Sequence, residues 1–259
     1  MSKIGFKINK VSSGITDVAG FAAGFAAADI RRKGDDQRLD VGVIYSELPC
    51  QGAGVFTINA IAAAPVKVCR AILEHGGPYH AIIANSGNAN ACTGDQGLLD
   101  AIRMQEKVAE GLECSAEAVF VCSTGRIGRA MPMVQVESGI EKAVSALSTS
   151  KKGGFGFADA ILTSDTRRKV VSVQVETARG VVTIGGVAKG AGMIEPNMAT
   201  MLAFIATDAQ IPTKTLQRYL SKAVSGSFNA ITVDGDMSTN DTVLLLANGA
   251  SGAKIDKDA

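Results

Sequence analysis

The chain has 259 residues, enough for one large domain or two small ones with a substantial buried core. Hydrophobic residues make up 46% and charged residues 20%, and the formal net charge of +1 gives no sign of a nucleic-acid or anionic-membrane surface. With 3 Tyr, 9 Phe and no Trp, an aromatic platform for stacking bases is also ruled against.

In chain order, Met1 to Lys10 lacks the apolar stretch of a signal peptide, and no run approaches the length of a membrane span. A cytoplasmic protein is the expectation. Val41–Tyr45 and Ala81–Ala84 are short apolar runs ended by turn residues and predict buried strands. Thr93 and Gln96 fit a capping box, and Leu98, Ala101, Ile102, Gln105, Ala109 and Leu112 then mark one helical stripe. Ala118–Cys122 predicts another strand, and Val134–Leu147 a helix. Ser148–Phe157, with Lys151-Lys152-Gly153-Gly154, reads as an exposed loop. Val171, Val173 and Val175 alternate with Ser172, Gln174 and Glu176 before Ala178-Arg179-Gly180 and Val181–Ile184, which predicts a hairpin with one wet face. Met201–Ala206 and Thr242–Ala247 predict further strands. Thr213–Ser225 predicts a helix with Leu216, Leu220, Ala223 and Val224 inward. Ser251–Ala259 reads as a ragged end. The mixture lacks a strict βαβ rhythm and predicts an α/β (α+β) layered architecture of mixed sheets and helices.

The five cysteines, Cys50, Cys69, Cys92, Cys114 and Cys122, are odd in number and contain no C-x-x-C pair. That argues against a disulfide framework and a zinc site, and for a reducing compartment. His75 and His80 are the only histidines, and neither lies beside a nucleophile motif. Asp234-Gly235-Asp236 with Asn240 and Asp241 fails the calcium-loop pattern, because Thr239 and Leu245 stand where Gly and Glu are needed. Turn formation and side-chain bonds to backbone are the expected roles there.

The densest signal is Gly185 to Leu202, GGVAKGAGMIEPNMATML. By composition it reads as a glycine-rich loop needed for turns or packing, and it does not match a phosphate-cradling loop. Lys189-Gly190-Ala191-Gly192-Met193, Pro196 and Met198-Ala199-Thr200-Met201-Leu202 nevertheless resemble the signature of the ornithine acetyltransferase/glutamate N-acetyltransferase family. Ala53–Thr57, Ala63–Val66, Asn85–Ala91, Ser123-Thr124-Gly125 and Thr232–Asp236 with Ser238–Asp241 resemble it in the same order, so the similarity covers nearly all the chain.

That resemblance implies an N-terminal-nucleophile-like fold of the ornithine acetyltransferase/aminopeptidase type. It implies self-cleavage at Ala199–Thr200 into an alpha piece, 1–199, and a beta piece from Thr200 to 259. Thr200 is then the nucleophile. Its freed α-amine, titrating near ~7.7–8.0, is its base, so scarce histidine is no obstacle. On the residues alone, Thr200 merely begins a strand. The family's oxyanion hole corresponds to Thr124 and Gly125, otherwise a turn signal. Its substrate contacts correspond to Lys189, Thr163 and Thr200. A lone lysine is ordinarily solvated, but a cation there suits an amino-acid carboxylate. The Thr163 motif departs from the family form at Ser164, Arg167 and Arg168. The Asn85–Asn90 run is either a turn cluster or a border of the cleft.

The implied reaction moves acetyl from N-acetylornithine to glutamate in arginine biosynthesis, with no cofactor, no metal, no nucleic acid and no membrane. Acetyl-CoA is left open as a second donor. Association of alpha and beta chains, and a higher oligomer of that pair, are also implied. Family members continue past Ala259, with an acidic DGEG-type motif and C-terminal polar residues that complete the pocket. A shortened chain with weak binding and poor turnover is the expectation. The alternatives are a related self-cleaving aminopeptidase, which would use serine, and a non-catalytic binding module.

Overall fold

A computed structural model describes residues 6–9, 13–193 and 201–255. Nine strands form a continuous sheet among these residues, in the order β1-β6-β7-β8-β9-β3-β4-β5 with β2 also beside β3. The strands are β1 (Phe6–Asn9), β2 (Phe21–Ala26), β3 (Val41–Phe56), β4 (Tyr79–Asn88), β5 (Val119–Arg126), β6 (Lys169–Thr177), β7 (Gly180–Lys189), β8 (Leu202–Thr207) and β9 (Thr242–Ala247). Five α-helices accompany them among the described residues: α1 (Ala64–His75), α2 (Gly94–Leu112), α3 (Met133–Ser145), α4 (Lys151–Ala160) and α5 (Thr213–Ser225).

β3 is the hinge of the architecture. Val41 to Ser46 pair with β2, and Val41 to Tyr45 also pair with β4, whereas Gln51 to Phe56 pair with β9. The register against β4 shifts between Tyr45 and Cys50, around Pro49. Proline offers no ladder donor, so the strand changes partners there. One half-sheet is β2-β3-β4-β5; the other is β1-β6-β7-β8-β9-β3. Among these strands only β4/β5 and β8/β9 are parallel pairs.

Alternation along β8 shows the layering. Leu202, Phe204 and Ala206 enter the main core with Ile44, Ile82, Phe120 and Phe157. Met201 and Ala203 face Leu216, Leu220 and Val224 of α5 in a second cluster. Successive strand side chains point to opposite faces, so β8 is buried on both. Helices α1, α2 and α3 pack against the β2–β5 half-sheet. The result is the layered α/β arrangement expected. No helix among the described residues is long and apolar enough to cross a membrane.

Several local expectations change. Ser148–Phe157 is not an exposed loop, because α4 begins at Lys151 with the Ser150 hydroxyl accepting the Gly153 N–H. Its glycines weaken helix propensity and read as a loop, yet they let the helix lie against β2. A Cβ on Gly156 would stand 2.1 Å from the Phe25 ring, and one on Gly154 2.3 Å from the Ser13 carbonyl oxygen. The α2 stripe is rotated: Met104 and Val108 join Ala101, Gln105 and Ala109 inside, while Leu98 and Ile102 are exposed. Thr93 stands at the N-cap without a capping bond; its hydroxyl donates to Asn90 Oδ1. In α5, Ala223 is exposed. The hairpin forms, but Val171 is exposed and Ser172 is buried, because the Ser172 hydroxyl donates to Asp17 at 2.6 Å. Of the Ser251–Ala259 end, Ala253 is fully buried with its carbonyl taking the Gln210 N–H, while Gly252 and Lys254 are exposed and residues 256–259 lie outside the described residues.

Phe157 holds the layers together. It is fully buried, meets Phe204 of β8 edge-on at 5.6 Å, and fills the space left by Gly42 of β3. Phe157→Ala should destabilise the protein by about 3–5 kcal/mol through the cavity it leaves. Urea denaturation checks this; a loss below about 1 kcal/mol would show that the layers close over the gap.

Candidate active site

The carboxyl ends of the parallel strands β4 and β5 lie side by side, with Ser86 opposite Thr124 and Gly87 opposite Gly125. The end of β7 meets the start of β8, with Lys189 opposite Leu202. These strand ends converge on a cavity of about 550 Å³. Its lining includes Thr124, Gly125, Thr163 and Lys189, so the structure brings together four of the six expected site residues. Ala199 and Thr200 lie outside the described residues.

Lys189 spans the two half-sheets. Its Nζ donates to Thr124 Oγ1 at 2.9 Å, and the residue is only 3% exposed. Burial lowers its pKa from 10.5 to about 8, and the nearby Asp165 and Asp241 carboxylates oppose that fall. The lysine is therefore not the solvated side chain its type suggests. It stays mostly protonated at neutral pH and draws electron density from the Thr124 hydroxyl, which makes that hydroxyl a better donor in turn.

Asp241 is fully buried and accepts the backbone N–H of Met201, the residue following Thr200, at 2.8 Å. Burial raises its carboxyl to about 7, against the lowering effect of the Met201 N–H and of Lys189. Asp165 accepts the Gly190 N–H at 2.8 Å and pairs with Lys169. Burial pushes Asp165 upward, but Lys169, the Gly190 N–H and Lys189 together hold it below the ordinary carboxylate value. The glycine-rich segment is thus pinned on both sides, at Gly190 and at Met201. Both aspartates stand inside the resemblance motifs or beside Thr163, yet no local pattern of residues marks either for this task.

Gly125 has φ +137°, and a Cβ there would lie 2.4 Å from the Gly87 carbonyl carbon. Only glycine fits, because any side chain would meet the neighbouring strand. The Asn run is a bordering scaffold. Asn85 Nδ2 donates to the Asn88 carbonyl, Asn88 Nδ2 to the carbonyls of Arg129 and Ala130, and Asn90 Nδ2 to that of Gly97. Asn240 Nδ2 donates to the carbonyls of Ala89 and Ser123, at 2.6 and 2.9 Å, and ties the 231–241 segment to both strand ends. That segment makes the expected side-chain bonds to backbone, including Asp234 to the Met193 N–H. Arg31 and Arg126 also line the cavity, and no motif pointed to them. No cluster of three or more His, Cys, Asp or Glu that could hold a metal occurs among the described residues.

A hydroxyl donor, a backbone amide at a glycine and a buried cation on one cavity are the parts needed to stabilise a developing oxyanion. The folded value for Lys189 lies below its unfolded one, so the unfolded chain binds more protons between about 8 and 10.5. Stability should rise with pH across that window, and the cost of the buried charge is carried in full below it. Urea titrations of the wild type and Lys189→Met at both ends of the window should show the wild type gaining by roughly 1–3 kcal/mol on the variant, since each tenfold change in proton affinity is worth about 1.4 kcal/mol. A pH-independent difference would mean that Lys189 titrates as an ordinary lysine.

The model of the ArgJ family matches residues 22–259. The arginine biosynthesis bifunctional protein ArgJ of Shouchella clausii is 51% identical over 241 residues, covering 93% of this chain and 57% of its own length. The chain therefore spans a little over half the length of such curated relatives. Among solved structures, the ornithine acetyltransferase of Mycobacterium tuberculosis, complexed with ornithine, matches with a TM-score of 0.65 at 36% identity, over 74% of this chain and 98% of that one. The L-aminopeptidase D-Ala-esterase/amidase of Ochrobactrum anthropi, a variant of the Ntn hydrolase fold, matches with a TM-score of 0.57 at 15% identity, over 94% of this chain and 77% of that one; it shares the fold alone.

Proposed function

The chain belongs to the ArgJ family, and from that premise we propose that it forms the larger part of an acetyltransferase that carries acetyl from N-acetylornithine to glutamate through an ester on Thr200. The observation that carries this reading is the bond from Lys189 to Thr124, inside a cavity that Gly125 and Thr163 also line.

The chemistry follows from the groups present. The precursor would cut itself when the Thr200 hydroxyl attacks the Ala199 carbonyl and the C–N bond breaks, which frees the protonated α-amine and leaves an ester; water then hydrolyses that ester to the Ala199 carboxylate and the Thr200 hydroxyl. In its neutral form the amine then takes the hydroxyl proton as Thr200 attacks the acetyl carbonyl of N-acetylornithine. Ornithine leaves with its nitrogen protonated. The amine of glutamate next attacks the acetyl ester and returns Thr200 to its starting state. Each addition places negative charge on a carbonyl oxygen, where the Thr124 hydroxyl and the Gly125 amide would donate. Lys189 strengthens Thr124 and offers its remaining N–H groups to a substrate carboxylate. Thr163 stands on the cavity wall as a further substrate contact.

Cleavage need not separate the pieces. β8 and β9 follow Thr200 in sequence and lie between β7 and β3, which precede it. An alpha chain 1–199 and a beta chain from Thr200 would stay joined by two strand ladders, and an oligomer of that pair is part of the reading. No cofactor is required, and acetyl-CoA is an alternative acetyl donor for the same threonine. The free thiols of all five cysteines suit the cytoplasm.

Intact-mass measurement on a protein carrying this chain should show a break between Ala199 and Thr200, with Thr-Met-Leu as a new N-terminus, and Thr200→Ala should stay uncut. A cut alanine variant would refute the mechanism. Thr124→Ala should slow cleavage and transfer alike, by about two to three orders of magnitude for one lost oxyanion donor, while the fold persists. A rate near that of the wild type would remove Thr124 from the site.

A further inference from the structure

We propose that Arg31 and Arg126 form a carboxylate-binding subsite at the mouth of the cavity, selecting an acceptor amino acid with a second, distal carboxylate. The proposal rests on the acyl-transfer reading above and names what sets its acceptor.

Arg31 is held by a built turn. Asp40 is buried and accepts the N–H groups of Ala28 at 2.7 Å and Ile30 at 2.8 Å, and its own carbonyl takes the Ser86 N–H at 2.9 Å from β4. The left-handed Asp29 then receives the N–H groups of Lys33 and Gly34 on its side chain. Arg31 leaves this turn with its aliphatic stem over Gly87, where a Cβ would stand 3.0 Å from Arg31 Cγ. Gly87 is opposite Gly125 in the parallel ladder, and Arg126 follows directly. The two glycines thus make room for one arginine and place the other beside it. The Arg126 carbonyl takes the Ala89 N–H at 2.9 Å, which fixes its backbone.

Both side chains line the same cavity as Thr124 and Lys189. Neither makes an ion pair or a side-chain hydrogen bond among the described residues, whereas Arg38, Arg70, Arg103 and Arg168 all do. Burial lowers the Arg31 pKa, and the charges of Arg38 and Arg126 add to that, against the more distant pull of Asp40 and Asp35; two like charges are thus held close, and among the described residues neither has an anion in ion-pair contact. Repulsion of this kind is relieved by a ligand that accepts from both guanidinium groups, and a planar carboxylate matches their fork. Asp234 and Asp236 also line the cavity, with Asp234 fixed on the Met193 N–H. A cavity of about 550 Å³ suits a compact amino acid. Lys189 takes the α-carboxylate, and the arginine pair takes the distal one. N-acetylornithine, with a single carboxylate, leaves that subsite unused.

Calorimetric titration of L-glutamate and L-glutamine tests this on a protein carrying the chain, since the two differ only in the distal carboxylate. Glutamate should bind at least about tenfold more tightly than glutamine. Arg31→Met with Arg126→Met should bring the two affinities within about twofold of each other, chiefly by weakening glutamate. Arg126→Lys alone should keep part of the preference, because the charge survives without the fork. Equal affinities in the wild type, no glutamate binding, or a preference that survives in the double methionine variant would each overturn the subsite. Inorganic phosphate serves as the second probe: tight, arginine-dependent phosphate binding without a glutamate preference would also overturn it in favour of a phosphate site. Lys189→Met separates the parent reading. It should weaken both amino acids equally, and a failure to do so counts against Lys189 as the α-carboxylate contact while leaving the glutamate-to-glutamine ratio as the measure of the arginines.

Discussion

A lysine ammonium buried between two half-sheets is the constraint on which the site depends. Removing such a charge from water is costly unless it finds hydrogen-bond partners and opposite charge nearby. Lys189 has the Thr124 hydroxyl at 2.9 Å, with the carboxylates of Asp165 and Asp241 close enough to raise its pKa against burial. The three charged groups come from β7, from the 161–168 segment and from the stretch before β9. Thr124 comes from β5 of the other half-sheet, so the arrangement exists only when both half-sheets are in place. The contact that lines the cleft is also one that ties the two half-sheets together.

The fold supplies that contact by bending one strand. β3 passes from the β2–β5 half-sheet to the half-sheet of β9 without leaving the hydrogen-bonded ladder, so one core serves both. Its interior aromatics, Phe120, Phe157 and Phe204, fill the layer between. Polar groups gather at the strand ends, where ladders run out and backbone groups need other partners. The Asn and Asp side chains supply them, which is why a segment rich in Asn borders the cavity.

Local pattern made much of the fold legible. Strands of continuous Val, Ile, Leu and Ala over four to six residues are buried on both faces, and all five predicted from such runs occur; the Thr213–Ser225 helix matches the structure at both ends. The errors share one cause. Periodicity assigns a face by counting apolar side chains, but burial is decided by the neighbour that arrives. Ser172 is inside because Asp17 waits for its hydroxyl, and Leu98 is outside because nothing packs on it. The glycines of α4 look like a loop until β2 is seen lying against them.

The same division holds at the site. The order of motifs along the chain determined the family resemblance, and within it Thr124, Gly125, Thr163 and Lys189 as residues of one cleft, because each motif is contiguous and needs no knowledge of distant partners. Tertiary structure alone decided that Lys189 is buried on Thr124, that Asp165 and Asp241 pin the glycine-rich segment at either end, and that Arg31 lies over Gly87 beside Arg126. Lys189 and Thr124 stand 65 positions apart in the chain, and Met201 and Asp241 stand 40 apart. A charged side chain's pKa and partners depend on what the fold brings within a few ångströms of it. Sequence can name a lysine; its proton affinity is a property of the place where the chain puts it.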